Sequence, residues 1–157
     1  MSIIVEKMGL EDIDELIRWR MTVLREVFSI PEDEDTTALE AENRRYYERQ
    51  LEADAHTAVI ARENGETALG CGGICYYQEM PSPDNPNGLC AYLMNIYVVP
   101  GRRHEGIAQD IVSRLIADAR TRGVTKIYLE TSEDGRKLYH DLGFRPMEDY
   151  LKWEPLK

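Results

Sequence analysis

The residues with the clearest chemical potential lie in a glycine-containing stretch, GRRHEGIAQDIV, at residues 101–112. This stretch follows the apolar run LMNIYVVP and leads into an apolar stripe of helical period, so it predicts a turn between a strand and a helix. The first backbone N–H groups of a helix lack intrahelical partners and carry the positive end of the helix dipole, which favours a bound phosphate or pyrophosphate. Gly106 and the small Ala108 leave room for such an anion near the backbone.

The charges around this turn favour an anion only in part. Arg102 and Arg103 offer charge-assisted hydrogen bonds, whereas Glu105 opposes an anion unless its side chain turns to solvent. The sequence lacks the GxxxxGK pattern followed by Ser or Thr, and no GxGxxG follows this strand, so a nucleoside triphosphate and a dinucleotide are both disfavoured. The residues alone leave open an anion site and an ordinary strand-to-helix turn.

Strand and helix patterns on both sides position this turn. The predicted elements are a strand at 2–8, helices within 9–28 and 33–54, two strands around the hairpin sequence ENGE, a strand at 89–99, a helix at 106–123, a strand at 125–130, a helix at 133–143 and a last strand at 149–155. The segment MPSPDNPNG is predicted to be a loop because it holds three prolines. The order β-α-α-β-β-β-α-β-α-β(-β) is that of a mixed α/β domain, in which the crossover at 99–106 requires a parallel neighbouring strand.

The composition is that of a globular chain with an acidic surplus. Its 157 residues, 43% of them hydrophobic, predict a single domain over residues 1–157. The formal net charge of −10 disfavours nucleic acid as a partner, because phosphate contacts need a basic face. The N-terminal residues do not resemble a secretory signal and no apolar run reaches the length of a membrane span, so we expect a cytoplasmic protein with no membrane partner.

The cysteines and histidines show no metal or disulfide pattern. Cys71, Cys75 and Cys90 lack CxxC spacing, and the three histidines do not cluster with them in the sequence. We therefore expect buried, reduced thiols and no metal cofactor.

Two motifs in combination resemble the GNAT superfamily of N-acetyltransferases. MNIYVVPGRRHEGIAQDIVSRLI is similar to the family's acyl-CoA signature, a strand ending V-x-P followed by (R/Q)-x-x-G-x-(G/A) and a long helix; Arg103, Gly106 and Ala108 fill its defined positions. RKLYHDLGF is similar to the later family helix that carries a tyrosine before Leu-Gly-Phe. The sequence departs from the common form at His104, where the family often has glycine, and at Glu105, where it often has a basic residue. The resemblance implies a GNAT-like fold with a mostly antiparallel central sheet and a splayed parallel pair.

The resemblance also implies the reaction and the way its co-substrate is held. Acetyl-CoA and an amine bind together in this family, and the neutral amine attacks the thioester directly. The N–H groups of residues 104–109 are then expected to anchor the pyrophosphate, and the backbone of Ile96 and Val98 to bind the acetyl and pantetheine portion, with Tyr97 on the opposite face. The implied cofactor-binding set is Ile96, Tyr97, Val98, Arg103, His104, Glu105, Gly106, Ile107, Ala108, Gln109 and Ser132.

Two residues are candidates for proton transfer. Tyr139 occupies the tyrosine position of RKLYHDLGF and is the expected general acid for the CoA thiolate, because a phenol with a pKa of about 10 keeps its proton at neutral pH. A packed aromatic side chain is the alternative. Glu130 is the expected general base; an ordinary carboxylate at a strand end is the alternative, and its interval to Tyr139 is shorter than in many family members. Ser132 or Asp134 stands where the family has a polar residue against the pantetheine arm.

The acceptor, a small amine or a peptide amine, is not specified by these motifs. We expect it to be selected by the first two helices and the loop at 80–88. The candidates there are also ordinary helix or strand residues: Trp19, Arg20, Arg25, Tyr46, Tyr47, Tyr77, Glu79 and Tyr92. A non-catalytic acyl-CoA-binding sensor or interaction module is the alternative function. A monomer and a homodimer are both compatible with the sequence.

Overall fold

The helices and strands follow the hydrophobic periods of the sequence. The computed structural model describes residues 2–156. Its strands are β1 (Ile3–Met8), β2 (His56–Glu63), β3 (Thr67–Gln78), β4 (Leu89–Val98) and β5 (Lys126–Tyr128). Its α-helices are α1 (Ile13–Val27), α2 (Thr37–Glu52), α3 (Ile107–Thr121) and α4 (Arg136–Asp141). Short 3-10 turns at Leu10–Asp12, Pro100–Arg102 and Glu133–Gly135 precede α1, α3 and α4.

The five strands form one sheet in the order β1-β2-β3-β4-β5. The first four are antiparallel to their neighbours, and β4 and β5 are parallel. This parallel pairing runs only from Cys90 opposite Lys126 to Tyr92 opposite Tyr128, although β4 continues to Val98. The two strands therefore part beyond Tyr92. The prediction of a mostly antiparallel sheet with a splayed parallel pair is confirmed, and α3 is the predicted crossover.

Each face of the sheet buries a separate core, because successive side chains of a strand point to opposite faces. Val59 and Leu93 pack on one face against Ile111 and Leu115 of α3. The other face, covered by α1 and α2, buries a second cluster that includes Leu16, Ile17, Tyr47, Ala58 and Ile60. Each face thus has its own helical layer, with the gap between β4 and β5 at one end of the sheet.

The hairpin predicted at ENGE is confirmed. Asn64 and Gly65 connect β2 to β3 and have φ values of +54° and +75°. Two successive residues in the left-handed region are what a tight type I′ turn requires, and Asn-Gly is the pair that adopts it at least cost.

The last predicted strand is absent from the described residues. Residues 149–155 have no regular structure, and the sheet ends at β5. The pattern DYLKWEP is strand-like, but a strand forms only when its backbone groups have a partner, and this segment pairs with no other part of residues 2–156.

Residues 2–156 contain neither a membrane-spanning helix nor a metal-binding cluster. Within residues 2–156, no helix combines the length and apolar character needed to cross a bilayer. The same residues contain no group of three or more His, Cys, Asp or Glu side chains placed to hold a metal ion. Cys71 and Cys90 are buried free thiols as predicted, whereas Cys75 is only partly buried.

Candidate functional site

Strand β4 carries a bulge just beyond the point where it leaves β5. Two of its residues, Asn95 and Ile96, lie opposite the single residue Gly72 of β3. Asn95 has a φ of +60°, a left-handed conformation that asparagine adopts more readily than most residues. Gly72 permits the close packing here, because a Cβ on it would lie 2.5 Å from Cγ2 of Ile111 and 2.9 Å from Cδ1 of Ile96. Such a bulge bends its strand and changes the direction of its peptide groups.

The peptide groups of Ile96 and Val98 point away from β3. The N–H of Val99 donates to a β3 carbonyl over 2.9 Å, and the peptide groups of an antiparallel strand alternate between its two edges. The peptide groups of Val98 and Ile96 therefore point to the edge of β4 that is no longer paired with β5. Their side chains alternate as predicted: Ile96 packs with the α3 core, and Tyr97 packs edge-on against Trp19 on the other face.

The turn between β4 and α3 presents a row of unpaired main-chain donors. None of the N–H groups of residues 104–109 has a hydrogen-bond acceptor in the part of the chain that the structure describes. His104 has a φ of +66°, and Gly106, the residue before α3, has a φ of +86°. A Cβ on Gly106 would meet no atom within 4 Å, so this glycine serves the backbone conformation and leaves the front of the helix open. A phosphate or pyrophosphate fits such a row of donors.

The side chains of this turn contribute less than its backbone. Ile107 is buried in the α3 core, so only its N–H is available to a ligand, and Ala108 is half-buried against the same core. The side chains of His104, Glu105 and Gln109 are exposed. The predicted anion site is therefore mainly a main-chain site.

Arg102 reduces the electrostatic repulsion that Glu105 would exert on a bound anion. Nη1 of Arg102 lies 2.5 Å from a carboxylate oxygen of Glu63, and Nε lies 3.1 Å from both carboxylate oxygens of Glu105. These hydrogen bonds raise the pKa of Arg102. Glu105 is thus ion-paired within the turn, but it shares Arg102 with Glu63.

Arg103 connects the turn to β4. Its Nε donates to the carbonyl of Val98 over 2.8 Å, and its Nη2 donates to the carboxylate of Glu26 on α1 over 3.0 Å. The guanidinium carbon lies 5.3 Å from the centre of the Tyr97 ring. These three contacts fix the position of the turn relative to Val98. The N–H of Val98, and the N–H and carbonyl of Ile96, remain on the open edge of β4.

Tyr139 lies on α4 beside the turn that follows β5. Its ring packs edge-on against Phe144 with centroids 5.7 Å apart, and its Cε2 is 3.3 Å from where a Cβ on Gly135 would stand. Burial raises the pKa of Tyr139, so the phenol keeps its proton at neutral pH. No hydrogen-bond partner of its hydroxyl is present among residues 2–156, which leaves that proton available to a ligand.

Glu130 follows β5 and lies beside Tyr92. Burial, followed by the charge of Glu130, raises the pKa of Tyr92. Tyr92 belongs to a cluster in which its ring packs against Tyr128 at a centroid distance of 4.9 Å and the hydroxyls of Tyr77 and Tyr128 are hydrogen-bonded. The structure thus groups two of the expected acceptor-side tyrosines with Glu130.

Two predicted site residues stay apart from these groups. Within the described residues, no hydrogen bond, ring contact or electrostatic interaction joins Tyr139 to Glu130, the two candidates for proton transfer. Ser132 is exposed at the start of the 3-10 turn Glu133–Gly135, and its carbonyl accepts a hydrogen bond from Thr131.

A cavity of about 220 Å³ lies beside the β4 bulge, on the face covered by α1 and α2. Sequence reasoning named Arg20, Tyr46 and Tyr47 as possible pocket residues, and all three line it. The other five lining residues were not expected from the sequence: Glu42, Asn43, His56, Met94 and Asn95. The one available signal was the asparagine within the apolar run LMNIYVV, because a buried strand rarely contains a polar residue without a structural reason.

The family match spans the segments described above. The profile of the acetyltransferase (GNAT) family matches residues 15–144, which include the β4 bulge, the turn before α3 and the tyrosine helix α4. No curated protein matches the chain.

Solved structures share the fold over nearly the whole chain. A predicted acetyltransferase from Clostridium acetobutylicum, crystallised with acetyl-CoA, is 27% identical, with a TM-score of 0.85 over 98% of this chain and 96% of that chain. A GCN5-related N-acetyltransferase from Ralstonia eutropha JMP134 is 24% identical, with a TM-score of 0.79 over 98% and 99% of the two chains. AAC(6')-Iy, in complex with the bisubstrate analogue CoA-S-monomethyl-acetylneamine, is 18% identical, with a TM-score of 0.75 over the full length of both chains.

The profile match covers most of the chain, and strand β4, the turn before α3 and the tyrosine helix α4 occur in the order that the sequence predicted. The chain therefore belongs to the GNAT family, as an N-acetyltransferase with acetyl-CoA as its co-substrate.

Proposed function

We propose that this protein transfers the acetyl group of acetyl-CoA to the primary amine of a small molecule or peptide, by direct attack while both substrates are bound. The observation that carries this proposal is the continuity of the donors. The open N–H and carbonyl of Ile96 and the open N–H of Val98 are followed, after the 3-10 turn Pro100–Arg102, by the unpaired N–H groups of residues 104–109. One continuous stretch of backbone can then hold the acyl group, the pantetheine arm and the pyrophosphate.

In this proposal the binding residues act through their main chain. The N–H groups of residues 104–109 bind the pyrophosphate, and the backbone of Ile96 and Val98 binds the acetyl and pantetheine portion, where a donor to the thioester carbonyl would stabilise developing negative charge. Arg103 holds the turn against the end of β4 through its hydrogen bond to Val98. In the same proposal Ser132, which precedes the 3-10 turn Glu133–Gly135, meets the pantetheine arm.

Two side chains manage the protons. Glu130 accepts a proton from the amine, directly or through a water molecule, and the neutral nitrogen then forms its bond to the acetyl carbon. The carbon–sulfur bond breaks and Tyr139 donates its proton to the departing thiolate. The proton that the nitrogen loses as the amide forms passes to solvent, and solvent returns a proton to Tyr139. The raised pKa of Tyr139 supports this role because the hydroxyl holds its proton until a basic sulfur approaches.

Release of free CoA thiol from acetyl-CoA, measured over a panel of amines, tests the proposal. We expect release that depends on the amine and equals the amount of N-acetylated product found by mass spectrometry. Gly106→Asp should abolish it by placing a carboxylate in the row of N–H groups. Tight binding of acetyl-CoA with no turnover over the panel would contradict transfer and favour the acyl-CoA-binding sensor.

A further inference from the structure

The cavity beside the β4 bulge contains a guanidinium whose partners are all neutral. Nε of Arg20 donates to Oδ1 of Asn43, and Nη1 donates to Oδ1 of Asn95, each over 3.0 Å. Its third nitrogen, Nη2, has no acceptor within residues 2–156, and no carboxylate of that part of the chain lies within ion-pair distance of Arg20. Two amides thus fix the orientation of the guanidinium without neutralising its charge.

This arrangement is unusual for the chain. The chain has 29 acidic residues, and its other largely buried arginines are paired with them. Arg62, Arg102 and Arg122 each bind at least one carboxylate. Glu42 also lines the cavity, but its side chain is 70% exposed and its carboxylate binds Arg45 instead. The cationic group of Arg20 therefore has no internal counter-charge.

Apart from Glu42, the rest of the cavity lining is neutral. Burial, followed by the charge of Arg20, lowers the pKa of His56 to about 4, so its imidazole is uncharged at neutral pH. Nδ1 of His56 lies 2.8 Å from the hydroxyl of Tyr46, whereas Nε2 has no hydrogen-bond partner in the described chain. An anion at Arg20 would meet one cation and neutral polar groups, while the Glu42 carboxylate of the same cavity is paired with Arg45.

We propose that this cavity binds a carboxylate of the acceptor, which is an amino acid or another small amine that carries a carboxylate. The inference rests on the proposed acetyl transfer and specifies its substrate class. Nη2 of Arg20 supplies the charge-assisted hydrogen bond. Asn95 lines the cavity and Ile96 follows it on β4, so a carboxylate held here leaves the amine of the same molecule next to the strand that binds the acetyl group. A volume of about 220 Å³ suits a small acceptor.

Matched acceptors test this inference. Initial rates of CoA release are measured with a set of amino acids and with the carboxamide of each, which has the same shape and no negative charge. The variants are Arg20→Gln and, as a control on the same helix, Arg18→Gln, whose side chain is exposed and outside the cavity. Acetyl-CoA binding is followed by calorimetry in each variant, and amino acid binding is followed in the presence of CoA.

We expect wild type to prefer the amino acids to their carboxamides. Arg20→Gln should raise KM for the amino acids by about 10- to 100-fold, the range of a hydrogen bond to a charged group, and leave the carboxamides and acetyl-CoA nearly unaffected. Equal use of both acceptor forms by wild type would overturn the inference. An equal loss for both forms in Arg20→Gln would also overturn it and make Arg20 a positioning residue for the bulge. If the carboxamides and simple amines are acetylated while amino acids neither react nor bind, the transfer proposal stands and the inference fails.

Discussion

Nε of Arg103 donates to the carbonyl oxygen of Val98 over 2.8 Å, and this bond fastens the turn before α3 to the end of β4. The two regions proposed to bind acetyl-CoA are thereby held in one relation to each other. The bond also accounts for the arginine or glutamine of the signature, because both side chains carry an N–H donor and neither needs to touch the phosphates. Nη2 of Arg103 extends the connection to Glu26 on α1.

Two substitutions of Arg103 should show whether its hydrogen bond or its positive charge matters for acetyl-CoA binding. Arg103→Gln keeps an N–H donor, so we expect acetyl-CoA affinity within about 3-fold of wild type, whereas Arg103→Leu should weaken it about 10-fold, the range of one net hydrogen bond. Titration calorimetry with acetyl-CoA measures both. Equal losses in the two variants would show instead that the positive charge itself binds the co-substrate.

Gly106 is expected to be sensitive to any side chain, and most of all to an acidic one. Gly106→Asp adds a Cβ at a φ of +86° and a carboxylate in front of unpaired N–H groups, so acetyl-CoA binding should fall by at least about 100-fold. Gly101→Asp is the matched control in the same turn, since Gly101 lacks a positive φ and has open space around it. Comparable losses from both substitutions would point to general repulsion and not to a site at Gly106.

Local patterns in the sequence predicted most of the fold. Asn64 and Gly65 specify their turn directly, and the apolar stripe of α3 shows which of its faces is buried. The last strand was predicted wrongly because a strand pattern does not show whether a partner edge exists. Residues 149–155 have the pattern, and no edge reaches them within the described chain.

The candidate site was predictable where its residues are adjacent in the sequence. The turn at 101–106 combines its glycines, basic residues and helix start in one stretch, so it could be recognised from the sequence alone. The cavity was not recognised as a whole because Arg20, Asn43, His56 and Asn95 come from four separate elements. Only the fold brings Arg20 to Asn95, 75 residues later in the chain.

His104 should limit the stability of the turn. A non-glycine residue at a φ of +66° costs about 1–2 kcal/mol relative to glycine, part of which is offset by the greater freedom of glycine in the unfolded chain. We expect His104→Gly to raise the free energy of unfolding by about 0.5–1 kcal/mol, measured by urea denaturation, with acetyl-CoA binding retained. A loss of stability in His104→Gly would contradict the strain assigned to this residue.

Removal of the Tyr139 hydroxyl should affect chemistry and not binding. Because the hydroxyl has no hydrogen-bond partner in the described chain, Tyr139→Phe should keep the wild-type melting temperature and acetyl-CoA affinity. Loss of a general acid lowers kcat by about 100-fold or more. Stopped-flow and steady-state rates of CoA release measure the change. An unchanged kcat would assign Tyr139 to packing against Phe144 alone.

His56 should make the protein sensitive to mild acid. Burial lowers its folded-state pKa to about 4 from the ordinary value of 6.5, so the unfolded chain binds the proton first as pH falls. Neutral, buried His56 contributes its full share to the free energy of unfolding above pH 6.5. This stabilisation is lost as the pH falls from 6.5 to about 4, and the total loss is about 3 kcal/mol. Urea denaturation across this window should show the decline in wild type and in His140→Gln, whose histidine is exposed, and a flatter profile in His56→Gln. If His56→Gln keeps the full wild-type slope, other groups cause the acid sensitivity and His56 is not buried as a neutral imidazole.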